Sequence, residues 1–101
     1  MPKTITLSLS HDLTPDEVKR RIVTAIADAR SKHPDVLKDA HERWTENQMD
    51  FTARAMGQTI TGRVVIEPNV VHLSLELPVI LAMLAGKLKP QIEAEGRKLL
   101  Q

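Results

Sequence analysis

The sequence predicts an α+β fold: a curved antiparallel sheet of about five strands, ordered β-α-β-β-β-β-α along the chain, packed against an N-terminal helix and a C-terminal helix. Three observations predict it. Apolar and polar residues alternate with period two in Thr4 to Ser10 and again between Met49 and Leu77, as half-buried strands require. An amphipathic helical stripe follows the first of these runs. The later runs are joined by short connections holding Gly57 and Pro68-Asn69, which only antiparallel neighbours can use.

In the first strand Ile5, Leu7 and Leu9 share one face, with Thr4, Thr6 and Ser8 opposite. Thr14-Pro15-Asp16-Glu17 then carries a helix start: a capping threonine, a proline suited to the first helical position, and a glutamate that completes a capping box. The apolar stripe Val18, Ile22, Ala25, Ile26 and Ala29 extends the helix to about Lys32, where His33-Pro34-Asp35 ends it. Asp35 to Asp39 reads equally as a turn or a short helical turn before a strand from Ala40 to Thr45.

Strand-like runs follow at Met49 to Met56, Gln58 to Glu67 and Val70 to Leu77, forming a meander. Parity assigns Met49, Phe51, Ala53 and Ala55, then Ile60, Gly62, Val64 and Ile66, then Val71, Leu73, Leu75 and Leu77 to the core face, joined by Trp44. Glu42 and Glu46 fall on that face near the sheet margin. The opposite face, with Arg43, Asp50, Arg54, Arg63, His72 and Glu76 among threonines, reads as solvated, the alternative being a modest basic patch for an acidic partner.

The C-terminal segment is the most informative. After Pro78, which is tolerated only near a helix start, Val79 to Ala85 is apolar all round, so one-sided packing does not account for it. From Leu88 the chain turns amphipathic, with Leu88, Ile92 and Leu99 on one stripe. Pro90 removes a helical hydrogen bond and crowds the carbonyl of Gly86, so a bend near Gly86-Pro90 is expected between two helical halves. Val79, Ile80, Leu81, Met83, Leu84 and Leu88 are the candidate hydrophobic-binding or interface residues. Core or dimer interface is one reading of them, and contact with a hydrophobic surface or acyl ligand the other.

Composition narrows the function classes. A length of 101 residues suits a single domain. The net charge of +1, with basic and acidic residues interspersed, supplies no field for phosphate backbones, so no nucleic-acid partner is expected. The chain has no cysteine, which removes thiolate chemistry and disulfides, and no run approaches the ~20 apolar residues that span a bilayer. With no apolar secretory stretch after Met1, a cytoplasmic location is expected.

No constellation of catalytic residues is legible, and no enzyme activity or cofactor is expected. Ser8, Ser10, Ser31 and Ser74 lack a G-x-S-x-G elbow, and the four glycines are isolated rather than gathered in a phosphate loop. His11, His33, His41 and His72 share no metal-ligand spacing with nearby acids, so no metal is expected. An enzymatic reading would require a cleft in which His41 or His72 meets an acid at hydrogen-bond distance.

The early helix, Trp44, the strands Phe51 to Ile66 with Gly57 and Gly62, and above all Leu73-Ser74-Leu75-Glu76-Leu77-Pro78 followed by Lys87-Leu88-Lys89-Pro90-Gln91-Ile92-Glu93-Ala94-Glu95 resemble the bacterial polyhydroxyalkanoic acid system protein family over most of the chain. That resemblance implies association with polyhydroxyalkanoate synthesis, mobilisation or granule surfaces, and with it an accessory protein that binds a hydrophobic granule surface, an acyl ligand or a granule protein. The order of elements is also similar, more distantly, to helix-grip domains that bind lipids and polyketides, which implies a cavity between sheet and C-terminal helix. One helix stands here where two are usual, so the cavity would be shallow or completed by a homodimer. The competing expectation is a helix-grip-like dimer acting only through protein partners.

Overall fold

The computed structural model describes residues 3–32, 34, 39–55 and 57–101. Its elements are β1 (Lys3–Ser10), α1 (Pro15–Lys32), β2 (His41–Thr45), β3 (Gln48–Ala55), β4 (Gln58–Ile66), β5 (Val70–Leu77), a 3-10 segment (Val79–Leu84) and α2 (Ala85–Leu99). The strands form one antiparallel sheet in the order β1-β5-β4-β3-β2, so the sheet is unclosed and β1 and β2 are its edges. The α+β, helix-grip-like architecture expected from the sequence is the one observed. Residues 35–38 of the ambiguous stretch, and Met56 at the end of the third strand run, lie outside the described residues.

Parity places the core as expected. Ile5, Leu7 and Leu9 of β1 are buried while Thr4, Thr6, Ser8 and Ser10 are exposed. Val64, Ile66, Val71, Leu75 and Leu77 face inward beside Met49. Buried residues form two clusters. In one, Val18 and Ile22 of α1 and Leu100 beyond α2 close over Leu9, Met49, Val64, Ile66 and Val71. In the other, Leu81 and Ala85 close over Ile5, Leu75 and Leu77. Phe51 packs against both.

Two glycines set close approaches. Gly62 is the register partner of Phe51, and a Cβ there would stand 2.2 Å from the phenyl ring, so the ring lies across β4 where the side chain is missing. A Cβ at Gly96 would meet Leu9 Cδ1 at 2.5 Å, which marks where α2 presses on β1. The space at Gly62 therefore admits an aromatic ring rather than a helix.

α1 starts as its sequence dictates. Thr14 Oγ1 accepts the Glu17 N–H at 3.2 Å, and Val18 N–H donates to the Thr14 carbonyl. The Glu17 carboxylate does not turn back to the cap; it binds Arg20 and Arg21. Arg21 also donates to the Leu99 carbonyl at 2.9 Å and to the Gln101 carbonyl, tying the end of α2 to α1. At the other margin Lys19 Nζ stands 4.9 Å from the Trp44 ring centroid, and Arg30 pairs with Glu42, which holds α1 against the β2–β3 hairpin.

The C-terminal segment divides into two helical pieces, with the junction at Leu84-Ala85. The first is a 3-10 segment rather than an α-helix, opened by Pro78 in an extended conformation (φ −58°, ψ 159°) and by a Leu81 N–H to Pro78 carbonyl bond of 2.9 Å. α2 then runs through Pro90 without interruption of its helical assignment. Proline's missing N–H leaves the Gly86 carbonyl short of a partner, and Gly86 is exposed, with nothing within 4 Å of an added Cβ, so water can reach that turn.

Candidate functional site: an apolar outcrop on the 3-10 segment

A run that is apolar all round cannot bury every side chain when it lies on one side of a sheet. Leu81 is driven home, 4% exposed among Ile5, Leu75, Leu77 and Ala85. Val79 is 61% exposed, Ile80 64%, Met83 85% and Leu84 38%. The 3-10 geometry accounts for the two most exposed positions, because side chains three apart eclipse in that helix: Ile80 and Met83 stand one above the other on the outward side, whereas Leu84, in line with buried Leu81, is the least exposed of the four. Leu88, one turn into α2, is half-buried against the second core cluster.

The six residues singled out in the sequence thus separate. Four form an exposed apolar outcrop, Leu81 is the anchor that holds it, and Leu88 belongs mainly to the core. Lys87 and Lys89, both exposed, follow immediately in α2. Among the described residues no helix is long and apolar enough to cross a membrane.

One concavity adjoins the outcrop and another opens elsewhere on the sheet. An open groove of about 640 Å³ runs between the free side of β1 and α2, lined by Lys3, Ile5, Ala85, Lys89, Pro90 and Arg97 among others, and begins where the outcrop ends. A recess of about 190 Å³ with an apolar lining, including Ile26, Ala29, Met49, Phe51 and Ala53, opens on the inner sheet face. It lies between α1 and β2–β3 rather than under α2, where the helix-grip analogy placed a cavity.

The polar sheet face is locally neutralised. Arg63 donates to Asp50 at 2.8 Å and thereby holds the Asp50 carboxyl below its ordinary value, and Arg54 donates to the Gly57 carbonyl. Two histidines have specific settings that spacing along the chain did not reveal. His11 is buried, with Nδ1 accepting the Leu13 N–H at 3.1 Å and Nε2 donating to the Glu67 carbonyl at 2.9 Å. His72 meets an acid, Glu67, at 3.1 Å and Ser8 at 2.8 Å, on the open outer face of the sheet. Among the described residues no three His, Asp or Glu side chains gather as metal ligands would.

The sequence model described as polyhydroxyalkanoic acid system protein matches residues 5–100. The crystal structure of Ara h 8.0201 superposes with a TM-score of 0.52, covering 99% of this chain and 95% of that one at 9% identity. At that identity the likeness is one of fold alone, and it agrees with the helix-grip-like arrangement of sheet and C-terminal helix. No curated protein sequence matches.

Proposed function

The chain belongs to the polyhydroxyalkanoic acid system protein family, and on that premise we propose that it is a non-enzymatic accessory protein that attaches to the hydrophobic surface of a polyhydroxyalkanoate granule through Val79, Ile80, Met83 and Leu84. The observation that carries this reading is the outcrop: four apolar side chains between 38% and 85% exposed on one short arch. Evolution tolerates single exposed apolar residues, but a contiguous set raised on a rigid anchor marks an interaction surface. Burying what these four expose would contribute roughly 4 to 7 kcal/mol before ordering costs, at roughly 1.5 to 3 kcal/mol per full side chain, which suits reversible adsorption. The lysines that follow suit the polar side of an interfacial segment.

A dimer closed over the same outcrop is the competing reading. Four partly exposed side chains supply roughly half of the about 800 Å² per partner that a stable interface buries, so a flat apolar surface fits them better than a second copy alone.

The test is co-sedimentation with amorphous polyhydroxybutyrate particles. The native protein should pellet with the particles, and the Ile80→Ser/Met83→Ser variant should stay in the supernatant with an unchanged circular dichroism spectrum. Equal pelleting of both proteins would end this reading. So would a tight dimer at micromolar concentration in which Met83 is covered.

A further inference from the structure

On the outer sheet face, away from the outcrop, three side chains form a line. Ser8 Oγ lies 2.8 Å from His72 Nδ1, and His72 Nε2 lies 3.1 Å from Glu67 Oε2. An ionised carboxylate only accepts, so in the neutral ring Nε2 carries the hydrogen and donates it to Glu67. Nδ1 then holds a lone pair, and the Ser8 hydroxyl donates to it. This is the polarity that a general base needs toward a hydroxyl nucleophile, with the roles of the two ring nitrogens exchanged relative to the commonest arrangement.

The ladder fixes where the Ser8 backbone points. The His11 N–H donates to the Asn69 carbonyl at 3.0 Å, so that pair is hydrogen-bonded, and alternation makes Leu9–Val71 bonded and Ser8–His72 non-bonded. Independently, the Glu67 N–H to Val70 carbonyl bond makes Val65–His72 a bonded pair, which turns the His72 backbone toward β4. Both results leave the Ser8 N–H directed away from β5, and β1 is an edge. A backbone donor with no partner among the described residues therefore stands beside an exposed hydroxyl whose proton is already directed at a base.

We propose that Ser8 is an acyl-acceptor site, which takes an acyl group from an activated ester such as a thioester or aryl ester, with His72 as the base and Glu67 as a positioning residue. Ser8 Oγ forms a bond to the acyl carbonyl carbon while its proton passes to His72 Nδ1, and the Ser8 N–H donates to the oxygen on which charge develops. The bond from that carbon to sulfur or aryloxide oxygen then breaks. The departing thiolate or aryloxide takes the proton from the imidazolium, leaving a serine ester and a free thiol or phenol. Glu67 keeps the ring in the required tautomer and supports its transient charge. The site lies open on the sheet and acts as a modification site, which does not rest on the granule-binding reading.

The structure supplies its own control in Ser10. It is exposed on the same face of the same edge strand, with its N–H also directed outward by the alternation, but its register partner is Val70 instead of a histidine. The full chain is treated with p-nitrophenyl acetate, and acetylation is followed by intact mass and peptide mapping. Ser8 should acetylate at least about 100-fold faster than Ser10, the order of rate gain a positioned general base gives. His72→Gln should bring Ser8 down to the rate of Ser10, and Ser10→Ala should leave Ser8 unaffected. Glu67→Ala should slow Ser8 by about tenfold and let the His72 ring populate both tautomers in two-bond proton–nitrogen spectra, with lysine acetylation unchanged. Equal labelling of Ser8 and Ser10, or a Ser8 rate indifferent to His72→Gln in a folded protein, would overturn the proposal.

Discussion

Replacing Gly62 by alanine is expected to unseat the Phe51 ring. The two residues are register partners on β4 and β3, and a Cβ at Gly62 would stand 2.2 Å and 2.3 Å from two ring carbons. That is far inside the roughly 3.5 Å at which carbons begin to repel. A Cβ has no rotamer to change, so the ring must move from the place where the two core clusters meet. Overpacking of this kind costs roughly 1 to 3 kcal/mol. Phe51→Ala alone removes a half-buried ring and should cost about 2 kcal/mol, about half the loss for a fully buried one. On that background Gly62→Ala meets no ring, and can recover roughly 0.5 to 1 kcal/mol because glycine is the poorer strand residue. Urea unfolding of the four proteins of this cycle, followed by the fluorescence of Trp44, should therefore give a coupling energy of roughly 1.5 to 4 kcal/mol. Two substitutions that add to within about 0.5 kcal/mol would refute the packing described here.

Within the outcrop, loss of binding should follow exposure: Met83→Ser is expected to weaken partition onto polyester particles by about 15-fold and Leu84→Ser by about fourfold, at ~2 kcal/mol per full side chain and 1.4 kcal/mol per factor of ten. Leu81→Ser, in contrast, should lower unfolding stability by roughly 2 to 4 kcal/mol, since it opens a cavity and buries a hydroxyl. Arg21→Ala should cost about 1 to 2 kcal/mol and increase amide exchange at the end of α2, because the carbonyls of Leu99 and Gln101 lose their donor. Hydrogen bonds from Arg20, then Arg21, hold the Glu17 carboxyl at about 2 against an ordinary 4.5. A depressed folded value stabilises fully above 4.5 and is lost as pH falls through about 2, so Glu17→Gln should flatten the urea midpoint against pH across that window.

Much of this fold is legible because its signals are local. Alternation, the Thr14 cap and the short turns place each strand and α1 within one or two residues of their observed ends. Gly57, at φ 77°, marks the turn that sets the β3–β4 register. The Val79 to Leu84 run is less legible, since a segment apolar on every side has no period from which 3-10 and α geometry can be told apart. Pro90 is where the sequence places a break, yet the change of helix type falls at Leu84-Ala85, after the turn in which the chain leaves Pro78 and Leu81 finds its pocket. Ser8 and His72 could be assigned to the same outer face by parity alone. Their contact depends on β1 pairing with β5, sixty-four residues away in sequence, and no local pattern encodes that register. His11 is similar: its partners are the nearby Leu13 and the distant Glu67, so its burial follows from the meeting of two turns.

Contact between the outcrop and the polymer can be read directly at Met83. It is 85% exposed, whereas Met49 is 3% exposed in the core and serves as the internal reference. Mild peroxide converts an accessible methionine to its sulfoxide, which peptide mass spectrometry quantifies. In solution Met83 should oxidise rapidly and Met49 slowly. On polyhydroxybutyrate particles Met83 should be protected while Met49 is unchanged, and bound protein whose Met83 oxidises as fast as it does free in solution would rule out attachment through the outcrop.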